Sequence, residues 1–256
     1  MPRASERTKL VFIGVTHELR AGARENPARE LVEHLSGLGV KRLGVEGDFS
    51  REDYARRCEL DGLDPSNPDD FTRYHFALSD AAKAAGIKLV SLEDADHRVL
   101  GTVAAILSMA AGAPNPIQGL SQIIAQAEPN ASRYPDGSKM LAGLKFLRDN
   151  LPPGARLAHL AKAMHFYRSM HQYDLASSKN IDYNTVGALH AGDIALCRDA
   201  DVFYHRAELD SPLQSARKQT YDLHAEIVRQ VLERIKRTPV AIQRLERRSK
   251  GRRVKR

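Results

Sequence analysis

Over its first hundred residues the chain alternates short apolar runs with helix-compatible stretches, and this alternation constrains its fold more than any other feature. Three apolar runs fall there, at 9–16, 42–46 and 87–92, and a fourth at 183–189. Each is short, β-branched or leucine-rich, and flanked by turn or helix signals, as buried strands are. Between the first two, residues 26–38 place Pro27 at a first helical position and Gly37 and Gly39 at the exit. Between the second and third, a loop at 61–68 leads into a helix over 69–85, with Asp69 and Asp70 in its first turn and Gly86 just past its end. Strand–helix alternation implies parallel strands joined by right-handed crossovers. The expected fold is α/β, with a mostly parallel central sheet flanked by helices.

Residues 99–179 show no strand pattern and break at Gly112–Pro116, at Glu128-Pro129-Asn130 and at Pro152-Pro153-Gly154. They read as a helical insertion or cap between the third and fourth strands. Beyond lie a short helix at 193–199, an edge strand at 201–205 and a long amphipathic helix at 211–237, with Leu223, Ile227, Val231 and Ile235 as its apolar stripe. The expected division is one α/β domain over 1–243 and a basic tail over 244–256. The longest apolar stretch, 99–113, holds Gly101, Thr102 and Ser108. It falls short of the roughly 20 residues of a spanning helix. No secretory pattern is visible, so the expectation is a cytoplasmic protein without a membrane span. Cys58 and Cys197 belong to no paired motif and read as free thiols.

The net charge of +7 is local. The last ten residues hold seven Lys or Arg and no acid, which leaves 32 basic against 32 acidic residues elsewhere. A nucleic-acid partner is therefore an expectation of the tail alone. The absence of Trp argues against a base-stacking platform.

The strand ends carry the chemistry. Gly14-Val15-Thr16-His17 closes the first strand run and Gly187-Ala188-Leu189-His190 the last. With 17 glycines and 10 histidines, roughly 0.7 Gly-x-x-His matches arise by chance, so the weight lies in their placement. The second strand ends at Glu46 before Gly47, and the third at Glu93 and Asp94. In parallel α/β sheets ligands bind outside the carboxyl ends of the strands. That rim would gather two imidazoles and two or three carboxylates, which suits a divalent metal such as Mn, Co or Zn. It equally suits metal-free hydrolysis, with an imidazole activating water and a carboxylate orienting it. His17, Glu46 and His190 are the candidate metal ligands and, with Arg168 as an anion clamp, the candidate catalytic residues; Glu93 and Asp94 are candidate substrate contacts. Glu93, Asp94 and Asp96 also read as acids ahead of a helix, and Asp48 as a cap for a helix starting near Ser50. His165 and His171, six apart, fall on different helix faces and make no two-histidine motif.

These residues resemble the TraB/PrgY and Tiki superfamily, which is distantly similar to erythromycin esterase and ChaN-like proteins. The likeness covers about residues 9–200. It rests on Gly14–His17, Val45-Glu46, the run from Ala84 to Arg98, Tyr167-Arg168-Ser169-Met170, and Val186–Ile194 with its second Gly-x-x-His. Tyr167 stands where the family often has a glutamate, and the membrane segments of many members have no counterpart. The resemblance implies a metal-dependent hydrolase, peptidase-like or esterase-like, acting on a small-molecule or peptide substrate. A non-catalytic binding protein on the same fold, taking a peptide or a cofactor such as haem, is the alternative.

Overall fold

A computed structural model describes residues 9–17, 26–47, 50–152, 154–207 and 211–240. Five parallel strands form one sheet: β1 (Leu10–Val15), β2 (Arg42–Val45), β3 (Lys88–Ser91), β4 (Tyr183–Gly187) and β5 (Ala200–His205), in the order β3-β2-β4-β1-β5. All four expected strands and the edge strand are present. The register sets Gly14 beside Val186, Val15 beside Gly187 and Val45 beside Thr185.

Strand alternation builds the two faces. Ile13 and Val15 point into a core with Leu43, Val45, helix α1 (Pro27–Gly37) and helix α3 (Asp70–Ala84). Phe12 points the other way, into a core with Val186, helix α7 (Leu157–Ser178) and helix α8 (Ala188–Cys197). The helix starts follow their caps. Asn26 accepts from the backbone N–H of Ala28 and Arg29 ahead of Pro27, and Asp69 accepts from Thr72. Ser50 is the capping residue of α2 (Arg51–Asp61), accepting from the Asp53 N–H. Asp48 and the basic tail lie outside the described residues.

The expected helical insertion comprises α4 (Ala95–Ala111), α5 (Pro116–Ala127), a 3-10 turn (Glu128–Arg133), α6 (Gly137–Asn150) and α7. Together with α9 (Ser211–Arg237) they enclose a third core, holding Leu100, Leu107, Leu144, Leu160 and Val231. One face of α4 is buried there, from Val99 to Ala110, and none of the described helices is long and apolar enough to cross a membrane. Cys58 is buried and Cys197 half-buried, and both are free.

Two readings need correction. The apolar stripe of α9 is Val228, Val231, Leu232 and Ile235, while Leu223 is 80% exposed. The fourth strand stops at Gly187, so His190 lies in the first turn of α8.

The topology locates the crevice. β1 leads across β4 to β2, and β4 leads across β1 to β5. The two connections leave in opposite directions, so the switch point of the sheet opens between the carboxyl ends of β1 and β4.

Candidate functional site

Four strand ends deliver one polar residue each to the same rim. In spatial order these are Glu93 after β3, Glu46 after β2, His190 after β4 and His17 after β1. Glu46 is the hub. Its Oε1 lies 3.1 Å from His190 Nε2 and 3.6 Å from the Arg168 guanidinium. Its Oε2 accepts from the Gly187 N–H at 2.8 Å and stands 4.0 Å from His17 Nε2. Gly47 makes the turn behind it at φ +92°, a region that favours glycine. At Gly187 a side chain would begin 3.2 Å from Glu46 Oε2, so a residue without one lets the carboxylate sit against the N-terminus of α8. That end of the helix carries partial positive charge.

Electrostatics follow from this crowding. Burial alone would raise the Glu46 carboxyl, but His190, Arg168 and His17 outweigh it and hold the group well below the usual carboxylate range. His17 is pushed down by burial, against the pull of Glu46, so its ring is neutral at pH 7. Phe71, Tyr74 and His75 surround that ring, with centroids 4.9, 5.4 and 4.8 Å away.

His190 is held from behind. Ser169 Oγ lies 2.7 Å from its Nδ1 and donates to Asp193 Oδ2 at 2.6 Å. Asp193 is buried and takes two hydrogen bonds from Arg217, at 3.0 and 2.6 Å. Ser169 Oγ also lies 3.0 Å from the His165 carbonyl oxygen, and its contact with Nδ1 fixes which edge of the His190 ring faces the strand ends. Nε2 is thereby turned toward Glu46. His165, also on α7, has its ring 6.2 Å from that of His190. Burial, followed by the charges of His190, Arg168 and Arg217, pushes it down to about 3.

Arg168 and Glu93 meet as expected of neighbours on one rim, but as partners. The Arg168 guanidinium donates twice to Glu93 Oε1, from Nε at 3.0 Å and from a terminal nitrogen. Gln172 donates to the same oxygen at 3.1 Å. The fold thus gives Glu93 a positioning place beside Arg168. Asp94 caps α4 through the His97 N–H and also reaches two imidazoles, His97 Nδ1 at 2.7 Å and His171 Nε2 at 3.2 Å.

His17, Glu46 and His190, the expected metal ligands, gather around one carboxylate. Among the described residues, however, the group of three donors lying within 4.8 Å of one another is Asp94, His97 and His171. The side chains of His17, Glu46, Arg168, Glu93 and His190 are only 4–12% exposed. A cavity of about 100 Å³ beside Glu46 is lined by Val45, Gly47, His75 and Ser91 among others. A larger one, about 630 Å³, lies apart from the strand ends, between α7, the end of α8 and α9.

Ser169, Asp193 and Arg217 were not among the expected site residues. Ser169 and Asp193 stand inside the quoted motifs, whereas nothing in the sequence around Arg217 marks it. No protein-family model, curated protein or solved structure matches the chain, so the likeness to TraB and Tiki proteins rests on the motif residues alone.

Proposed function

We propose that the chain is a hydrolase of ester or peptide bonds acting at the Glu46 crevice. The observation that carries this reading is a single buried carboxylate facing two imidazoles and a guanidinium at the switch point of the sheet. His17 is the general base, because its ring is neutral at pH 7 and its Nε2 lies 4.0 Å from Glu46 Oε2. One water can touch both atoms, so that Glu46 orients it while His17 takes its proton. Arg168 is held in place by Glu93 and supplies positive charge to an oxyanion formed at the carbonyl under attack. His190, fixed by Ser169, supports the Glu46 carboxylate.

This step uses only the chain's own groups. A metal shared by His17, Glu46 and His190 does not fit their present spacing, since they do not form a three-donor group within 4.8 Å. The divalent cation that the strand-end donors suggest, Mn, Co or Zn, has a closer donor set at Asp94, His97 and His171.

The test is turnover on a panel of ester and peptide substrates, with His17→Ala as the discriminating variant. Loss of a general base costs about 10²- to 10⁴-fold. We expect a loss of that size in kcat with the circular dichroism spectrum unchanged; a fully active His17→Ala protein would sink the reading. The acid limb of the pH–rate profile should fall below pH 6.5, the usual histidine value, because His17 is shifted down. One observation favours the non-catalytic reading. Arg168 and His190 are already engaged by Glu93 and Ser169, so ligand binding without turnover on any substrate would select it.

A further inference from the structure

We propose that Asp94, His97 and His171 form a binding site for a first-row divalent cation of the zinc or cobalt kind, separate from the Glu46 crevice, that ties the start of α4 to α7. The proposal does not depend on the hydrolase reading. Two imidazoles and one carboxylate are a donor set for borderline metals and leave coordination positions open.

The geometry supports it in three ways. First, one ligand atom from each residue lies within 4.8 Å of the others. The Asp94 oxygens stand 2.7 Å from His97 Nδ1 and 3.2 Å from His171 Nε2. Neighbouring ligands on bonds of about 2.1 Å in a tetrahedral shell are about 3.4 Å apart, so the carboxylate already stands at about ligand-to-ligand distance from both rings. Second, His97 is 3% exposed and its Nε2 has no hydrogen-bond partner, while His171 Nε2 has only the Asp94 oxygen at 3.2 Å. Buried imidazole nitrogens left unsatisfied are uncommon and call for an explanation. Third, the site is reachable. The Asp94 side chain is 49% exposed, and His171 lines the cavity of about 630 Å³.

The two rings lie stacked, with centroids 3.3 Å apart and planes 3° from parallel. In that pose their lone pairs run side by side and do not converge, so binding must turn one ring about its χ2 axis. His171, the more exposed of the two, is the ring that turns. Asp96 is not part of the set, because Lys139 holds it at 2.6 Å.

The test is cobalt(II) titration of the full chain, followed by visible absorption, with zinc competition and equilibrium dialysis alongside. Asp94→Asn keeps a capping oxygen for α4 and removes the charged ligand. His171→Gln alters the less buried ring and spares His97. We expect one equivalent of cobalt in the wild-type chain, displaced by zinc, and at least a tenfold loss of affinity in each variant; even a lost supporting group costs 10- to 100-fold. Glu46→Gln should bind cobalt as the wild type does. Absence of uptake by the wild-type chain would overturn the proposal. So would unaltered affinity in both variants, or loss of uptake in Glu46→Gln alone, which would move the metal to the crevice. None of these readouts involves turnover, so failure of this site and failure of the hydrolase reading are distinguishable.

Discussion

The two Gly-x-x-His segments share four positions and little else. In Gly14–His17 the glycine is inside β1, where an added Cβ would meet the Tyr204 ring at 2.7 Å. The histidine lies two residues past the strand, in an aromatic surround, 4.0 Å from Glu46. In Gly187–His190 the glycine ends β4 and donates its N–H to Glu46, and the histidine belongs to a helix. Behind that second histidine stand Ser169, Asp193 and Arg217, all buried. One arm is braced by a charged network and the other is cradled by rings. The difference teaches that identical spacing can deliver a network-held imidazole and a ring-packed one to the same carboxylate.

The comparison breaks most visibly at Asp193. Removing one partner of a buried ion pair leaves the other charge uncompensated and costs about 3–5 kcal/mol. Asp193→Ala should therefore lower unfolding stability by that amount in urea, because Arg217 is buried. A paired replacement, Asp193→Leu with Arg217→Met, should recover most of it. His17→Ala should cost far less, since among the described residues no buried pair like Asp193–Arg217 stands behind His17. Equal losses at Asp193 and His17 would show that the two arms are braced alike.

The pH dependence of stability sharpens the same contrast. In the folded chain His165, packed near His190, is held down at about 3; its ordinary value is 6.5. Below pH 6.5 the unfolded chain takes a proton that the folded chain refuses, so stability falls as pH falls from 6.5 toward 3. At pH 5 the loss from this one ring is about 1–2 kcal/mol. Glu46 acts at lower pH. Its depressed carboxyl stabilises the fold above the ordinary carboxylate value, and that contribution disappears as pH falls through the folded value. The slope of urea midpoint between pH 7 and 5 should thus belong to imidazoles, and His165→Gln should flatten it more than His17→Gln. The reverse order would put the stronger coupling on the His17 arm.

How much of this was legible depends on how local each signal is. Strand ends and caps are local, so β1 to β4, Asn26 and Asp69 could be read from neighbours in sequence, and Glu46 with them. The α9 stripe was misread for a geometric reason. Steps of four residues advance about 40° per step on a helix of 3.6 residues per turn, so Leu223 has rotated well away from Ile235 and faces solvent. The end of β4 was misplaced because the Ala-Leu-His-Ala that follows Gly187 is apolar enough to prolong a strand, yet it turns into α8. The exclusion of His165 with His171 holds: one ring approaches His190 and the other Asp94. What pairs with His171 is His97, and the clamp on Asp193 is Arg217, both brought together by helix packing. Such contacts leave no periodic trace.

The smallest effect bears on whether the braced arm acts through position alone. Ser169→Ala removes the hydroxyl that joins His190 to Asp193, while Arg217 keeps its two bonds to Asp193. A net hydrogen bond is worth about 1 kcal/mol, so stability should fall by about that much. If Ser169 only positions His190, the stability costs of Ser169→Ala and His17→Ala should add to within about 0.5 kcal/mol, as independent sites do. Their effects on turnover should not add, because both arms meet at Glu46. A double-mutant cycle measures both. Coupling in stability would mean that the rings around His17 lean on the Ser169 network, and the two arms would then be one.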